Sequence, residues 1–178
     1  MKVILAGFNT DREAASATPE TISAAYARIS RDPSPVDRLR SESAREVESA
    51  RESNRRIVFQ YGHGSVAEHA VFNLDVLGVS RLAMEAVQSF RLASFTEKSQ
   101  RYIKIGEDWH LPEEAADPGP FREAVQRLFE GYRELLRRLA DAGNDRGSAR
   151  EDARYLLPLA ATSQMGMTVN ARELEHMI

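Results

Sequence analysis

Between Phe121 and Leu139 the residues Phe121, Val125, Leu128, Phe129, Tyr132, Leu135, Leu136 and Leu139 fall on one stripe of a helix. A stripe that long has to be covered, so this helix must pack on other elements of a core. The chain has the material for one. Of its 178 residues, 42% are hydrophobic and 29% charged, an ordinary globular balance for about one domain.

The rest of the chain reads as a mixture of helices and strands, with helices more abundant. Met1 to Phe8 is a first strand. Thr18-Pro19 starts a helix, Thr as N-cap and Pro at the first helical position, running through Ile22, Tyr26 and Ile29. Asp32-Pro33-Ser34-Pro35 breaks it, and Ser34-Pro35 starts a second helix with apolar Val36, Leu39, Val47, Ala50 and Ile57. Gly62-His63-Gly64 ends that helix, and His69 to Leu77 is strand-like. Ser80 caps a short helix through Leu82, Ala86 and Val87. Leu92 to Gln100 has no clear period, whereas Arg101 to Ile105 looks like a strand. Asp117 to Pro120 marks a loop, and Gly143 to Gly147 a turn. Ser148 with Glu151, then Asn170 with Glu173, form capping boxes for the last two helices. Internal repeats and low-complexity tracts are absent from the sequence.

Several classes of function are excluded or disfavoured. There are no cysteines, so disulfides, thiolate metal sites and a cysteine nucleophile are impossible, and a cytoplasmic protein is expected. No apolar run approaches the roughly 18 residues that span a bilayer. The opening MKVILAGFNTD lacks the length and cleavage site of a signal peptide. A net charge of -3 argues against binding a nucleic-acid polymer, though not against a local basic pocket for one phosphate.

Three segments concentrate chemistry. Arg91 to Tyr102 gathers a carboxylate, hydroxyls and guanidinium groups. Arg101 suits a phosphate because its planar fork donates two parallel hydrogen bonds, and Glu97 suits a ring N–H. The spacing equally fits a surface loop with incidental ion pairs. Gly62 to His69 holds two His and a Glu, but His63 and His69 are not one helical turn apart, so no metal site is assigned, and Ser65 with Glu68 also reads as a capping box. Ala153 to Leu159 and Thr168 to Arg172 contribute Arg154, Asn170 and Arg172, where Arg154 beside Asp152 equally reads as ion-paired and Asn170 as a helix cap. Met165 and Met167 read as core.

Taken in order, these segments resemble the flavin-dependent thymidylate synthases. Against a family signature R-H-R-x-x-S-x-N-E-x-S-x-R-Y, the chain has Ser89-Phe90-Arg91-Leu92-Ala93-Ser94-Phe95-Thr96-Glu97-Lys98-Ser99-Gln100-Arg101-Tyr102. Gly62-His63 through Glu68-His69 resembles G-H-x-[ST]-x-x-E-H, and Ala27-Arg28-Ile29-Ser30 resembles A-R-V-S. Ala153-Arg154 through Pro158 and Thr168-Val169-Asn170-Ala171-Arg172 resemble A-R-x-x-L-P and T-x-N-x-R.

The resemblance implies an α+β, helix-rich fold with an antiparallel or mixed sheet on which helices pack. It implies one domain over residues 1–178, or one half of a longer two-domain chain, assembled as a homotetramer or pseudo-tetramer. The implied reaction is FAD-dependent methylation of dUMP to dTMP, with methylenetetrahydrofolate and NADPH as co-substrates. Carried over by position, Glu97, Lys98, Ser99, Gln100, Arg101 and Arg154 bind dUMP. Ser30, His63, Ser65, Glu68, Arg91, Leu92, Thr96, Asn170 and Arg172 bind FAD, and Arg91, Glu97 and Ser99 are the catalytic set. The family needs no enzyme cysteine, which suits a chain without one. Ser89 and Phe90 replace the first Arg and the His of the signature, Ala86 stands where a Gln facing the pyrimidine is usual, and Thr96 replaces Asn. The chain also stops at Ile178, ahead of a further family Arg. Those departures leave a second reading, a non-catalytic or repurposed flavin- or nucleotide-binding member within a larger assembly.

Overall fold

A computed structural model describes residues 1–14, 17–113 and 117–178. The α+β, helix-rich architecture agrees with the expectation. Four strands, β1 (Lys2–Phe8), β2 (Val71–Ser80), β3 (Ala93–Glu97) and β4 (Thr162–Asn170), form an antiparallel sheet in the order β1-β2-β4-β3. Contacts divide the chain into two compact units. One comprises Met1–Lys2, Val76–Ser89 and Thr96–Met165, the other Val3–Asp75, Phe90–Phe95 and Gly166–Ile178. Among the described residues no helix is long and apolar enough to cross a membrane.

In the unit holding Val3–Asp75, helix α1 (Pro19–Arg28) is the hub. Against it pack α2 (Val36–Arg45), α3 (Val47–Arg55) and a 3-10 helix over Gly64–His69. Leu39 and Ala25 are wholly buried. Small polar residues take the tight places: the buried Ser23 hydroxyl donates to the Val66 carbonyl at 2.7 Å, and Asn54 Nδ2 donates to the Glu20 carbonyl at 2.8 Å. Thr18 is the N-cap of α1, but its buried hydroxyl finds no partner among the described residues, so Pro19, with its preset φ, fixes the helix start.

The expected single helix after Pro35 is instead two helices and a π-helical turn over Arg56–Gln60. The break falls at Glu46, whose φ of -117° and ψ of 60° leave the helical region. Geometry explains it. Twenty straight residues would run for about 30 Å, twice the length of α1, and a bend keeps both halves against that short partner. The start is also displaced: Pro35 is itself the N-cap, and Ser34 lies outside.

In the unit holding Thr96–Met165, α5 (Pro118–Asp141) buries Val125, Phe129 and Tyr132 of the stripe foreseen in the sequence, half-buries Phe121, Leu135, Leu136 and Leu139, and leaves Leu128 exposed. Val125 and Phe129 form a core cluster with Ala161, against which Trp109, Phe121, Leu157 and Ala160 pack. The Tyr132 ring is buried, and its hydroxyl accepts from the Ile105 N–H at 3.4 Å. Asp117 to Pro120 is not a loop. Asp117 caps α5 and both prolines sit in its first turn, where a missing N–H costs nothing. Helix α6 (Arg146–Ala153) is capped by Asp145 rather than by Ser148, because the Asp145 carboxylate accepts from the N–H groups of both Gly147 and Ser148. A 3-10 turn over Arg154–Leu156 follows.

Two strand expectations exchange places. Leu92 to Gln100 contains β3, and Arg101 to Ile105 is irregular. In β3 the half-buried positions are Ala93, Phe95 and Glu97, an alternation that a charged inward residue conceals in the sequence. Ser80 does cap α4 (Arg81–Gln88), accepting from the Ala83 N–H at 3.2 Å.

Candidate functional site

The predicted substrate residues lie in the unit holding Thr96–Met165. At the end of β3, Glu97 turns inward and its Oε2 atom accepts from two side chains of α4. Gln88 Nε2 donates at 3.3 Å, and Arg81 makes an ion pair. Among the described residues, Glu97 Oε1 has no partner. Arg81 is placed by its backbone, whose N–H donates to the Ala161 carbonyl at 3.0 Å, and by Glu85 at 3.2 Å. Burial works to lower the Arg81 pKa, but the hydrogen bonds and charges of Glu97 and Glu85 outweigh it and raise the guanidinium above its ordinary value.

After Glu97 the backbone is held by the Lys98 N–H, which donates to the Gln164 carbonyl at 3.1 Å. The chain then turns, and the Ser99 hydroxyl accepts from the Arg101 N–H at 3.2 Å. Arg101 Nη1 lies 3.5 Å from Glu151 Oε1, and Arg154 Nη2 lies 4.0 Å from the same oxygen. Two guanidinium groups, from a loop and from the end of α6, therefore converge on one spot. Each also leans over the tyrosine that follows it, Tyr102 and Tyr155, at 5.6 Å from the ring centroid. Glu151 is thus a bridge between arginines and no part of a capping box. Thr96 is in this unit too, on the exposed side of β3.

The other predicted cofactor residues lie in the unit holding Val3–Asp75. Glu68, Arg91, Leu92 and Asn170 line a cleft of about 310 Å³, with Val71, Ser94 and Thr168 completing its walls. Arg172 forms an ion pair with Glu68, so the Ser65 and Glu68 capping box is absent and His63 is the N-cap of the 3-10 helix. Asn170 caps α7 (Ala171–Met177), accepting from the Glu173 N–H at 2.9 Å. The buried Glu173 carboxylate accepts from the Leu92 N–H at 3.2 Å and fixes that wall. Arg91 is exposed and makes no ion pair with a described residue. His63, Ser65 and Ser30 are exposed and do not line the cleft. His69 packs edge-on against Tyr26 at 4.9 Å. Among the described residues no group of three or more His, Cys, Asp or Glu is placed to hold a metal ion.

Arg81 and Gln88 carry no signal of a site in the sequence pattern, and Glu151 and Glu173 read there only as halves of capping boxes. The i,i+4 pair Arg81–Glu85 was visible as a helix-face ion pair. Nothing local connects Arg81 with Glu97, because a helix and a strand bring them together.

The sequence model of a family described as thymidylate synthase complementing protein (Thy1) matches residues 14–178. A flavin-dependent thymidylate synthase of Thermococcus onnurineus is 34% identical over 127 residues, covering 68% of this chain and 50% of the relative. One of Geobacter sulfurreducens is 33% identical over 184 residues, covering 99% of this chain and 71% of the relative. The chain spans about half the length of most of the curated relatives it matches. Two solved structures share the fold. A UMP/dUMP methylase, PolB, from Streptomyces cacaoi, bound with 5-Br dUMP, superposes with a TM-score of 0.68 at 24% identity, over 98% of this chain and 75% of that one. Thymidylate synthase X from Helicobacter pylori, with FAD and dUMP, superposes with a TM-score of 0.66 at 20% identity, over 99% of this chain and 81% of that one.

Proposed function

We propose that this chain, which belongs to the thymidylate synthase complementing protein family, takes part in FAD-dependent methylation of dUMP to dTMP, with methylenetetrahydrofolate and NADPH as co-substrates. The observation that carries this reading is the convergence of Arg101 and Arg154 on one carboxylate oxygen. A phosphomonoester bears close to two negative charges, and an acidic protein that binds one has to gather guanidinium groups locally. In this reading the phosphate takes the place between Arg101 and Arg154, with Ser99 beside it. Glu97 offers its free Oε1 to a ring N–H, and Lys98 and Gln100 flank the nucleotide.

The cleft of Glu68, Arg91, Leu92 and Asn170 fits part of a flavin dinucleotide. Among the described residues no carboxylate pairs with Arg91, which leaves its guanidinium open to an acceptor on the flavin. The 310 Å³ volume is at the low end of the ~300–1,000 Å³ of ligand sites, so a further copy of the chain contributes the rest, in a homotetramer or pseudo-tetramer. Leu82 and Leu159, 60% and 50% exposed, supply apolar surface for such assembly. His63, Ser65, Ser30, Thr96 and Arg172 complete the cofactor set, and a cytoplasmic setting suits a chain without cysteine. When bound, FAD carries the hydride and the folate supplies the one-carbon unit. The chain's own residues orient the pyrimidine and neutralise the phosphate, and Arg91, Glu97 and Ser99 make the contacts nearest the chemistry.

The test is direct. Purified chain is titrated with FAD and followed by flavin fluorescence, then with dUMP by calorimetry, and turnover is assayed with NADPH and methylenetetrahydrofolate. Quenching, dUMP binding and formation of dTMP are expected. Folded protein that binds no dUMP in the presence of FAD would overturn the assignment.

A further inference from the structure

Glu97 is held in an asymmetric way that its role as a hydrogen-bond acceptor does not by itself require. Both anchoring side chains, Arg81 and Gln88, act on Oε2. Oε1 is free among the described residues, and the side chain is partly buried, at 28% exposure. Arg81 is in turn fixed by its own backbone bond to Ala161 and by Glu85, and the backbone beyond Glu97 by the Lys98 bond to Gln164. The carboxylate is thereby locked in position.

We infer that Arg81 and Gln88 are positioning residues that set the choice between uracil and cytosine at Glu97. The inference rests on the proposed nucleotide site. Uracil presents an N–H at ring position 3, flanked by two carbonyl oxygens. Cytosine presents a bare nitrogen there, with an amino group beside it at position 4. A carboxylate accepts well from either the uracil N3–H or the cytosine amino group, and carboxylates do read cytosine through that amino group elsewhere. The two contacts are separated by only a small sideways displacement. A mobile Glu97 would follow the donor and tolerate both bases. Clamped through Oε2, it meets the N3–H of uracil or the N3 lone pair of cytosine, and the second pairing is repulsive. Rejection by an unpaired polar contact is the strong form of discrimination, far stronger than exclusion by size.

Gln88 belongs to the device because a neutral amide adds direction without adding charge. Its Nε2 is engaged with Glu97, so it acts on the base through the carboxylate.

The experiment measures dissociation constants for dUMP and dCMP by calorimetry, with FAD present, for the wild type, Arg81→Gln, Arg81→Lys, Gln88→Leu and Glu97→Gln. The wild type is expected to prefer dUMP by at least about a hundredfold. Arg81→Gln should lower that ratio by about tenfold or more while dUMP still binds, because dCMP gains as the carboxylate is freed. Arg81→Lys should recover part of the ratio, and Gln88→Leu should lower it by a smaller factor. A merely structural role for Arg81 would weaken both nucleotides equally, and an unchanged ratio in both Arg81→Gln and Gln88→Leu overturns the inference while leaving the proposed function in place. Wild-type protein that binds neither nucleotide overturns the proposed function, and this inference with it. Circular dichroism identifies any variant that fails to fold, and Gln88→Leu, at the end of α4, then carries the comparison.

Discussion

Arg101 and Arg154 reach for the same oxygen of Glu151, at 3.5 and 4.0 Å. Neither distance is that of a tight charge-assisted bond, which is shorter, at about 2.7–2.9 Å. Glu151, half exposed, therefore occupies the place loosely. It keeps two like charges together without satisfying either.

Removing that carboxylate should help a phosphate. Glu151→Gln is expected to raise the affinity for dUMP about two- to fivefold, since an exposed ion pair is worth little to the fold and the competing charge is lost. Calorimetry at low and high salt checks this. A loss of affinity would mean that Glu151 orients the arginines for the ligand.

Arg101→Lys keeps the charge and loses the fork. Affinity for dUMP should fall about tenfold, or about 1.4 kcal/mol, with little change in thermal stability. Equal binding by wild type and variant would place the phosphate elsewhere.

At Asn170 the fold and the ligand can be separated. Asn170→Ala removes the cap of α7 and should lower stability by about 1 kcal/mol. Asn170→Ser keeps a capping oxygen and should restore stability. FAD affinity should fall in both, because Asn170 lines the cleft proposed for the cofactor. Denaturant melts read the first effect and flavin fluorescence the second. FAD affinity that follows stability would show a cap and nothing more.

Hydrogen bonds from Arg137 and then Arg138 hold the Glu134 carboxyl at about 2, well below its ordinary 4.5. A depressed carboxylate contributes stability above its unfolded pKa and loses it as pH falls through the folded one, so this contribution fades between about 4.5 and 2. NMR titration of the side-chain carboxyl should find the low midpoint, and it should move upward in high salt because the group lies at the surface in contact with solvent. A midpoint near 4.5 at low salt would contradict it.

In the core, Phe129→Ala should cost about 3–5 kcal/mol by thermal or denaturant unfolding. Its ring sits in the cluster with Val125 and Ala161, and truncating it leaves a cavity there. A loss below about 1 kcal/mol would mean that this cluster is not the centre of its unit.

The fold was legible where hydrophobic spacing was uninterrupted. The stripe of α5, the strand Lys2–Phe8 and the Ser80 and Asn170 caps could all be read from local chemistry. It was illegible where a polar side chain does an interior residue's work. Glu97 faces inward because Arg81 and Gln88 receive it, and without knowing those partners β3 has no visible alternation. Pro118 and Pro120 read as breakers because the sequence does not show which turn of a helix they occupy. The site divides likewise. Its residue types came from matched segments, but the shared carboxylate of Arg101 and Arg154, and the one-sided clamp on Glu97, are products of packing between distant parts of the chain.

The tyrosines beside the two arginines carry a consequence for heat and order. A free arginine side chain carries about 2 kcal/mol of rotamer entropy, and a ligand that immobilises two of them has to overcome that loss. Here Arg101 rests over Tyr102 and Arg154 over Tyr155, so part of the freedom is surrendered when the chain folds. A phosphate arriving at this spot meets side chains that are already restrained, and the entropy of its capture is correspondingly less unfavourable.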